Sequence, residues 1–421
     1  MSSLGNAERL VVVGSSLAGL RAAEAARTKG FAGEIVIVGD EKELPYDRPP
    51  LSKQCLVDGA PIPYLRDETV YRESLKATFM LGEPATALNA AEKTITVGGR
   101  PVQYDALVIA TGASPRNLPG LPDATNIATL RNFHDVARLR QAVESRARIT
   151  IIGAGIIGAE IASAARSRGC QVTIVEATEH PLERALGRRM GALLSEMHGR
   201  NGTDLRCGAT LSEVRTHAGQ VTGVVLSDGS EVATDLLLVS IGVVPNTGWL
   251  RDSGIELAPD GSIACDEQLG TSLNGVYAAG DVVSWPNSIT GRNGRLETWT
   301  SANEQGAVAG TNAVVEEADR QHYSTVPYFW SDWYGNRIQF AGTAADAEPE
   351  VVHGSLEEGK FVVLYRTADA VAGALAVNEP SKIMKDRRKI SQGVSWQEMV
   401  EHYRGLGTGA PDAATQAVPA I

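Results

Sequence analysis

Cysteine is scarce in this chain. Four residues, Cys55, Cys170, Cys207 and Cys265, are spread over 421 positions, and no two form a CxxC or CxxxxC pair. That scatter argues against a disulfide framework, a zinc site and a local redox dithiol, so no metal is expected. No apolar run reaches the length needed to span a bilayer. The opening MSSLGNAER has no basic start followed by an apolar core, so no secretory signal is expected and the cytoplasm is the default location. Positive charge is in deficit: 39 Lys and Arg against 50 Asp and Glu leave a net −11, which argues against a general nucleic-acid binder. Aromatics are only 5% of the residues, so the cluster in VPYFWSDWYGN, from Val326, stands out.

What the chain does have is length for two or three domains and 44 glycines, which suits a fold with many backbone–ligand approaches. Thr150 to Glu160 reads TIIGAGIIGAE. A β-branched run, Ile149 to Ile152, enters a turn with Gly153, Gly155 and Gly158, and a helical pattern follows through Ile156 and Ile157. This is the strand–turn–helix of a dinucleotide-binding crossover. Gly153 allows the tight turn, Gly155 lets backbone approach a pyrophosphate, and Gly158 lets the helix sit close to the strand. The next strand, Gln171 to Val175, ends in Glu176, which can accept from ribose hydroxyls and repel a 2′-phosphate.

The pattern occurs twice. RLVVVGSSLAGL, from Arg9, places Gly14, Ser16 and Gly19 in the same positions, with Leu17 and Ala18 opening the helix. Ser16 replaces the middle glycine; it is small, and its hydroxyl can donate to a phosphate. The following strand, Glu34 to Val38, leads to Asp40 and Glu41. Either acid can hold a ribose, and Glu41 is favoured. An acid at the ribose position of each copy points to two bound dinucleotides rather than one site and a relic.

Between and after these copies lie shorter signals. Leu44 to Leu56, LPYDRPPLSKQCL, carries three prolines and reads as an extended, rigid segment. Its cations Arg48 and Lys53 belong either to a solvated loop or to a cap over a cofactor. The strand from Tyr104 ends in Ala110, Thr111 and Gly112, and a second buried strand ends in Ile241 and Gly242. Residues 69 to 103 suggest a helix and a short β-meander. GVYAAGD ends on Gly280 and Asp281, where a sugar or ribityl hydroxyl can be held. A helix from about Thr300 follows Glu297 and Trp299, residues placed to face a ring system or simply to pack. From Tyr323 the composition shifts to a small α+β domain, with helices near Pro380–Gln392 and Trp396–Gly405. Expected boundaries are 1–113 with 246–322, then 114–245, 323–405, and a flexible tail at 406–421.

This order of two glycine fingerprints, RPPLSK, ATG, GVYAAGD, ETW and FWSD resembles the FAD-dependent, NADH-linked ferredoxin reductases, over about residues 8 to 400. RPPLSK and FWSD are the specific parts. The resemblance implies an α/β fold of glutathione-reductase type: two Rossmann-like modules plus the small α+β C-terminal domain. It implies FAD on Gly14 to Gly19 with Glu41, and NADH on the second fingerprint with Glu176 and Arg184. Arg48 and Lys53 would flank FAD, with Lys53 near flavin N5 and Glu160 paired with it at the hydride-transfer site. Asp281 would hold the ribityl–phosphate part, and Trp299 and Trp330 would line the ring. The nicotinamide would stack on the flavin at about 3–3.5 Å.

The implied partner is an acidic [2Fe-2S] ferredoxin, met transiently, that serves a cytochrome P450 or a Rieske-type oxygenase. Steering it needs a basic patch, either Arg292, Arg295 and Arg337 or Lys385, Arg387, Arg388 and Lys389. Cys55 is expected to be a packing residue. The competing readings are an NADH oxidase or disulfide- or peroxide-reducing flavoenzyme, and an apoptosis-inducing-factor-like protein with an interaction role.

Overall fold

A computed structural model describes residues 8–405 and 416–417. The chain divides into two compact units. One comprises residues up to Asp47, Ile62–Ser114 and Val243–Pro327; the other comprises Arg48–Pro61, Pro115–Gly242 and residues from Tyr328 on.

The first unit is built on a parallel sheet of five strands, ordered Val276–Ala278, Ala106–Ile109, Arg9–Val13, Glu34–Gly39 and Ala77–Leu81. Leu10–Val13, Ile35–Val38 and Ala106–Ile109 are buried throughout, as expected for parallel strands covered on both faces. Helix Leu17–Thr28 buries Ala18, Ala22, Ala23 and Ala26, small residues that let a second helix, Trp299–Asn312, lie directly on it. Gly306 and Gly310 make that contact. A Cβ at either would fall 2.4 Å from the Ala18 carbonyl oxygen or 2.1 Å from that of Ala22. The expected meander is present as Ala85–Asn89, Thr94–Val97 and Arg100–Gln103. Ala77–Leu81, just before it, instead pairs in parallel with Glu34–Gly39 as the sheet's edge.

The second unit repeats the plan: Asp204–Arg206, Gln171–Val175, Arg148–Ile152, Leu236–Val239 and Ile127–Ala128, all parallel. The same unit holds an antiparallel sheet ordered Tyr328–Trp333, Asn336–Gly342, Ala370–Val377, Lys360–Thr367, Glu348–Ser355 and Gln416–Ala417. Helices Pro380–Ser391 and Trp396–Gly405 follow the fifth of these strands in sequence order. This sheet and the second dinucleotide module share one core. Ala159, Leu186, Met190 and Leu194 of the module pack with Trp333, Phe340, Phe361 and Tyr365, and the Tyr365 hydroxyl donates to the Leu186 carbonyl at 2.7 Å.

The proline segment differs from expectation. Pro49–Ser52 is a 3₁₀ turn and Gln54–Val57 a single α turn, not extended chain. Proline's fixed φ suits the first position of a helix, where its missing N–H costs nothing. Arg140 and Arg168 hold the segment by donating to the Cys55 and Val57 carbonyls at 2.5 and 2.6 Å. The tail expected at 406–421 lies outside the described residues, apart from Gln416–Ala417, which pair with Val351 and Glu350.

Candidate functional site

The two glycine turns close in the same way. The Gly14 amide donates to the Val38 carbonyl at 2.7 Å, and the Gly153 amide to that of Val175 at 2.8 Å. Behind them the Ala110 amide reaches the Val13 carbonyl at 2.7 Å, and Ser240 that of Ile152 at 2.8 Å. Gly14 and Gly153 have φ of +124° and +104°, and a Cβ would strike the Ala110 or Ser240 carbonyl oxygen at 2.0 or 2.3 Å. Gly19 and Gly158 pack back on the carbonyls of Gly14 and Gly153. The middle position is different: Ser16 and Gly155 are the extended residues just before their helices, and a Cβ on Gly155 would meet nothing within 4 Å. Leu17 and Ile156 are half-buried, Ala18 is buried and Ile157 is exposed. Each helix thus begins beside a turn shaped by packing, with its first amides and dipole available to an anion.

The acids stand where the sequence places them. Glu176 Oε2 accepts from the Ala154 amide at 2.8 Å, inside the glycine turn, and Oε1 from the Thr178 amide and hydroxyl, both at 2.9 Å. Glu41 is half-buried and accepts from the Tyr46 hydroxyl, whereas Asp40 is exposed. A carboxylate keeps acceptor capacity beyond these bonds.

In the second unit Glu160, 5% exposed, pairs with Lys53: Nζ to Oε1 is 2.7 Å. Lys53 also donates to the Pro49 carbonyl at 3.3 Å. Two hydroxyls complete the carboxylate, Ser331 on Oε1 at 2.6 Å and Ser52 on Oε2 at 2.5 Å. Trp333 Nε1 donates to Ser331 Oγ at 2.7 Å. A charge so buried is costly unless paired and hydrogen-bonded, and breaking such a pair costs about 3–5 kcal/mol. The family resemblance implies the pair, while Ser52, Ser331 and Trp333 were missed, although RPPLSK and FWSDW contain all three. Arg48 donates to the Arg131 carbonyl at 2.6 Å.

Around the first turn, Gly280 passes close to Ala18: a Cβ there would lie 3.1 Å from the alanine's. The Gly280 amide donates to Gln305 Oε1 at 2.8 Å. Gln305 is fully buried and its Nε2 has no acceptor in the protein, so this position fits a bound group that supplies one. Asp281 follows, half-buried. Trp299 Nε1 donates to Asp47 at 2.7 Å, while Glu297 pairs with Arg295 at 2.8 Å. The ATG turn is tied to Asn246: Thr111 and Asn246 exchange two bonds of 2.9 Å, and the Asn246 amide reaches the Gly112 carbonyl at 2.9 Å. Asn246 was not expected; its signal is its place directly after the second strand-to-glycine exit.

Elsewhere in the second unit, Ile241 lies 3.4 Å from the position a Gly153 Cβ would take, Gly242 is exposed, and Arg184 is exposed on the short helix Glu183–Leu186. Trp330 is half-buried beside Tyr328, with Arg337 5.6 Å above its ring.

All four cysteines are free thiols. Desolvation pushes the Cys55 thiol up, more than the nearby Arg140 draws it down, which is the reverse of an activated thiolate.

Residues 8–306 match the family model described as pyridine nucleotide-disulphide oxidoreductase, and residues 328–400 match Reductase C-terminal. The chain belongs to the pyridine nucleotide-disulphide oxidoreductase family. Within this family it falls among the ferredoxin reductases that carry a Reductase C-terminal domain. It is 34% identical to the rhodocoxin reductase of Rhodococcus erythropolis, over 90% of this chain and 88% of that protein. It is 34% identical to the biphenyl dioxygenase system ferredoxin--NAD(+) reductase component of Paraburkholderia xenovorans, over 96% and 98%. Human apoptosis-inducing factor 3 is 33% identical over 91% of this oxidoreductase, which spans 63% of that longer protein. A chain of the crystal structure of the covalent putidaredoxin reductase–putidaredoxin complex superposes with a TM-score of 0.88 at 28% identity, covering 95% of this chain and 98% of that one. The expected α/β fold class, with a Reductase C-terminal part after the dinucleotide modules, is borne out.

Proposed function

We propose that this oxidoreductase passes electrons from NADH through FAD to a [2Fe-2S] ferredoxin that serves a cytochrome P450 or a Rieske-type oxygenase. The observation that carries the reading is the buried Lys53–Glu160 pair, which ties the proline motif to the helix of the second glycine turn. Residues of the first glycine turn would hold FAD, which would supply hydride acceptance and one-electron release.

The chain's own residues bind and orient. Gly14 to Gly19 and the start of helix Leu17–Thr28 hold the FAD pyrophosphate, Glu41 a ribose, and Gly280, Asp281 and Gln305 the ribityl–phosphate part. Ala110, Thr111 and Gly112 keep the backbone close to the cofactor, and Glu297, Trp299 and Trp330 line the ring system. Gly153 to Gly158 and Glu176 hold NADH, with Arg184, Ile241 and Gly242 at its edges; an anionic Glu176 turns away a 2′-phosphate. Lys53 supplies positive charge to the cofactor, and Glu160 keeps that charge in place.

The ferredoxin is acidic and meets helix Pro380–Ser391, where Lys385 and Arg388 are exposed. Arg295 is unsuited to this task. Its side chain is 11% exposed and is spent on Asp260, Glu297 and the Asp281 carbonyl. No helix among the described residues is long and apolar enough to cross a membrane, and the reaction belongs in the cytoplasm.

NADH-dependent cytochrome c reduction that begins only when a 2Fe–2S ferredoxin is added supports the reading. Ferredoxin-independent turnover of peroxide or a disulfide sinks it. Ferredoxin turnover falls steeply with added salt if docking is electrostatic, and a flat salt profile removes the basic helix from the account.

A further inference from the structure

We propose that Ser331 and Ser52 are positioning residues for the Lys53–Glu160 pair, and that Trp333 sets the direction in which the Ser331 hydroxyl points. The inference rests on the function proposed above and adds residues to it.

Ser331 sits in the strand Tyr328–Trp333 and is fully buried, and Trp333 beyond it is 1% exposed. The neighbouring core is apolar: Phe340, Tyr365, Ala159 and Leu186 pack there. A hydroxyl at such a position costs free energy unless it is bonded. Its partners fix its orientation. An indole N–H only donates, and a serine hydroxyl has a single proton. Trp333 Nε1 takes the Ser331 oxygen as its acceptor, so the Ser331 proton goes to Glu160 Oε1. The order Trp333 to Ser331 to Glu160 therefore runs one way.

Ser52 behaves alike from the other side. Its alternative acceptor, the Pro49 carbonyl, is 3.4 Å away, against 2.5 Å for Glu160 Oε2. Each carboxylate oxygen is thus gripped by one hydroxyl from a separate stretch of chain, and rotation of the carboxylate breaks both grips. Lys53 follows Ser52 directly and lands on Oε1. Every partner of Glu160 is a donor, so the site is complementary to a carboxylate in one orientation. The ammonium is placed by that fixed anion. Without Ser331, Oε1 keeps only Lys53 as a partner, and the flexible lysine drags the carboxylate with it.

The purified holoenzyme tests this by stopped-flow bleaching of its flavin with NADH. Ser331→Ala is expected to slow reduction at saturating NADH about tenfold, the size of one hydrogen bond to a charged group. Flavin content and the NADH concentration for half-saturation stay unchanged. Ser52→Ala gives the same kind of loss from a segment outside the sheet, which keeps the test alive if Ser331→Ala does not fold. In a Lys53→Met background neither serine change slows reduction further, an outcome that mere loosening of the fold does not produce. A Ser331→Ala or Ser52→Ala enzyme reduced at the parental rate overturns the inference, as does an undiminished effect in the Lys53→Met background. A parent enzyme whose bound flavin NADH does not bleach overturns the function itself, and is recognised before any variant is compared.

Discussion

The two dinucleotide modules are close copies in their packing and different where they meet a ligand. Their closing hydrogen bonds have nearly equal lengths, and the outer glycines of each turn press against backbone carbonyls. The middle position presses against nothing in the second module, and the first carries Ser16 there. The outer glycines answer to the fold, and under the proposed function the middle one answers to what binds. The acids diverge as well: Glu176 is bonded into its own glycine turn, whereas Glu41 is held by Tyr46.

The comparison breaks most visibly at the outer glycines. Gly14→Ala sets a Cβ against the Ala110 carbonyl at a φ that only glycine adopts freely. Flavin retained through purification, read from the visible-to-ultraviolet absorbance ratio, falls about tenfold or more. Gly153→Ala keeps the yellow colour and loses NADH binding. Equal flavin loss in both variants ends the division of labour.

Acid sets the units apart next. Burial lowers the His198 pKa to about 4, below its ordinary value near 6.5. Between those values the unfolded chain takes a proton that the native form refuses, so stability falls as pH drops through that window, by on the order of 2 kcal/mol at pH 4.5. Asp386, pushed up to about 6 by desolvation, has the opposite sign. Its native form keeps a proton that the unfolded chain has released, so its contribution weakens as pH rises from about 4 to 6. Both residues belong to the second unit; the first has one histidine, the exposed His322. His198→Gln should flatten the acid-side loss of thermal midpoint. An unaltered acid slope removes His198 as its cause.

Glu176→Gln sharpens the contrast between the acids. It weakens the charged bond to the Ala154 amide and is expected to raise KM for NADH about tenfold while narrowing the preference over NADPH. Glu41→Gln leaves the nicotinamide preference alone. The smallest effects belong to the middle position. Ser16→Gly and Gly155→Ser each shift stability by only a few tenths of a kcal/mol, as for Gly and Ser at a helix start, read from the thermal midpoint. A large loss of stability in Gly155→Ser contradicts the open space found there.

Much of this plan was legible along the chain because its signals are local. β-branched runs, spaced glycines and an acid at a strand end lie within some thirty residues of one another. The Lys53–Glu160 pair came through family resemblance. The hydroxyls around it did not come at all, since Ser52 and Ser331 lie 108 and 171 positions from Glu160 and nothing local marks a buried serine as a donor to a distant acid. Three prolines suggest extension, whereas proline at a first helical position permits the turn that Pro49–Ser52 forms. Arg295 looked like surface charge until Asp260 and Glu297 were seen to enclose it.

The core that joins the second dinucleotide module to the antiparallel sheet has a consequence for engineering. Leu186, Met190 and Leu194 are covered together with Phe361 and Tyr365, so neither part owns a finished apolar surface. A chimera that exchanges residues 328–400 for the matching piece of another reductase must carry these helix residues along with the graft, or it will yield insoluble protein.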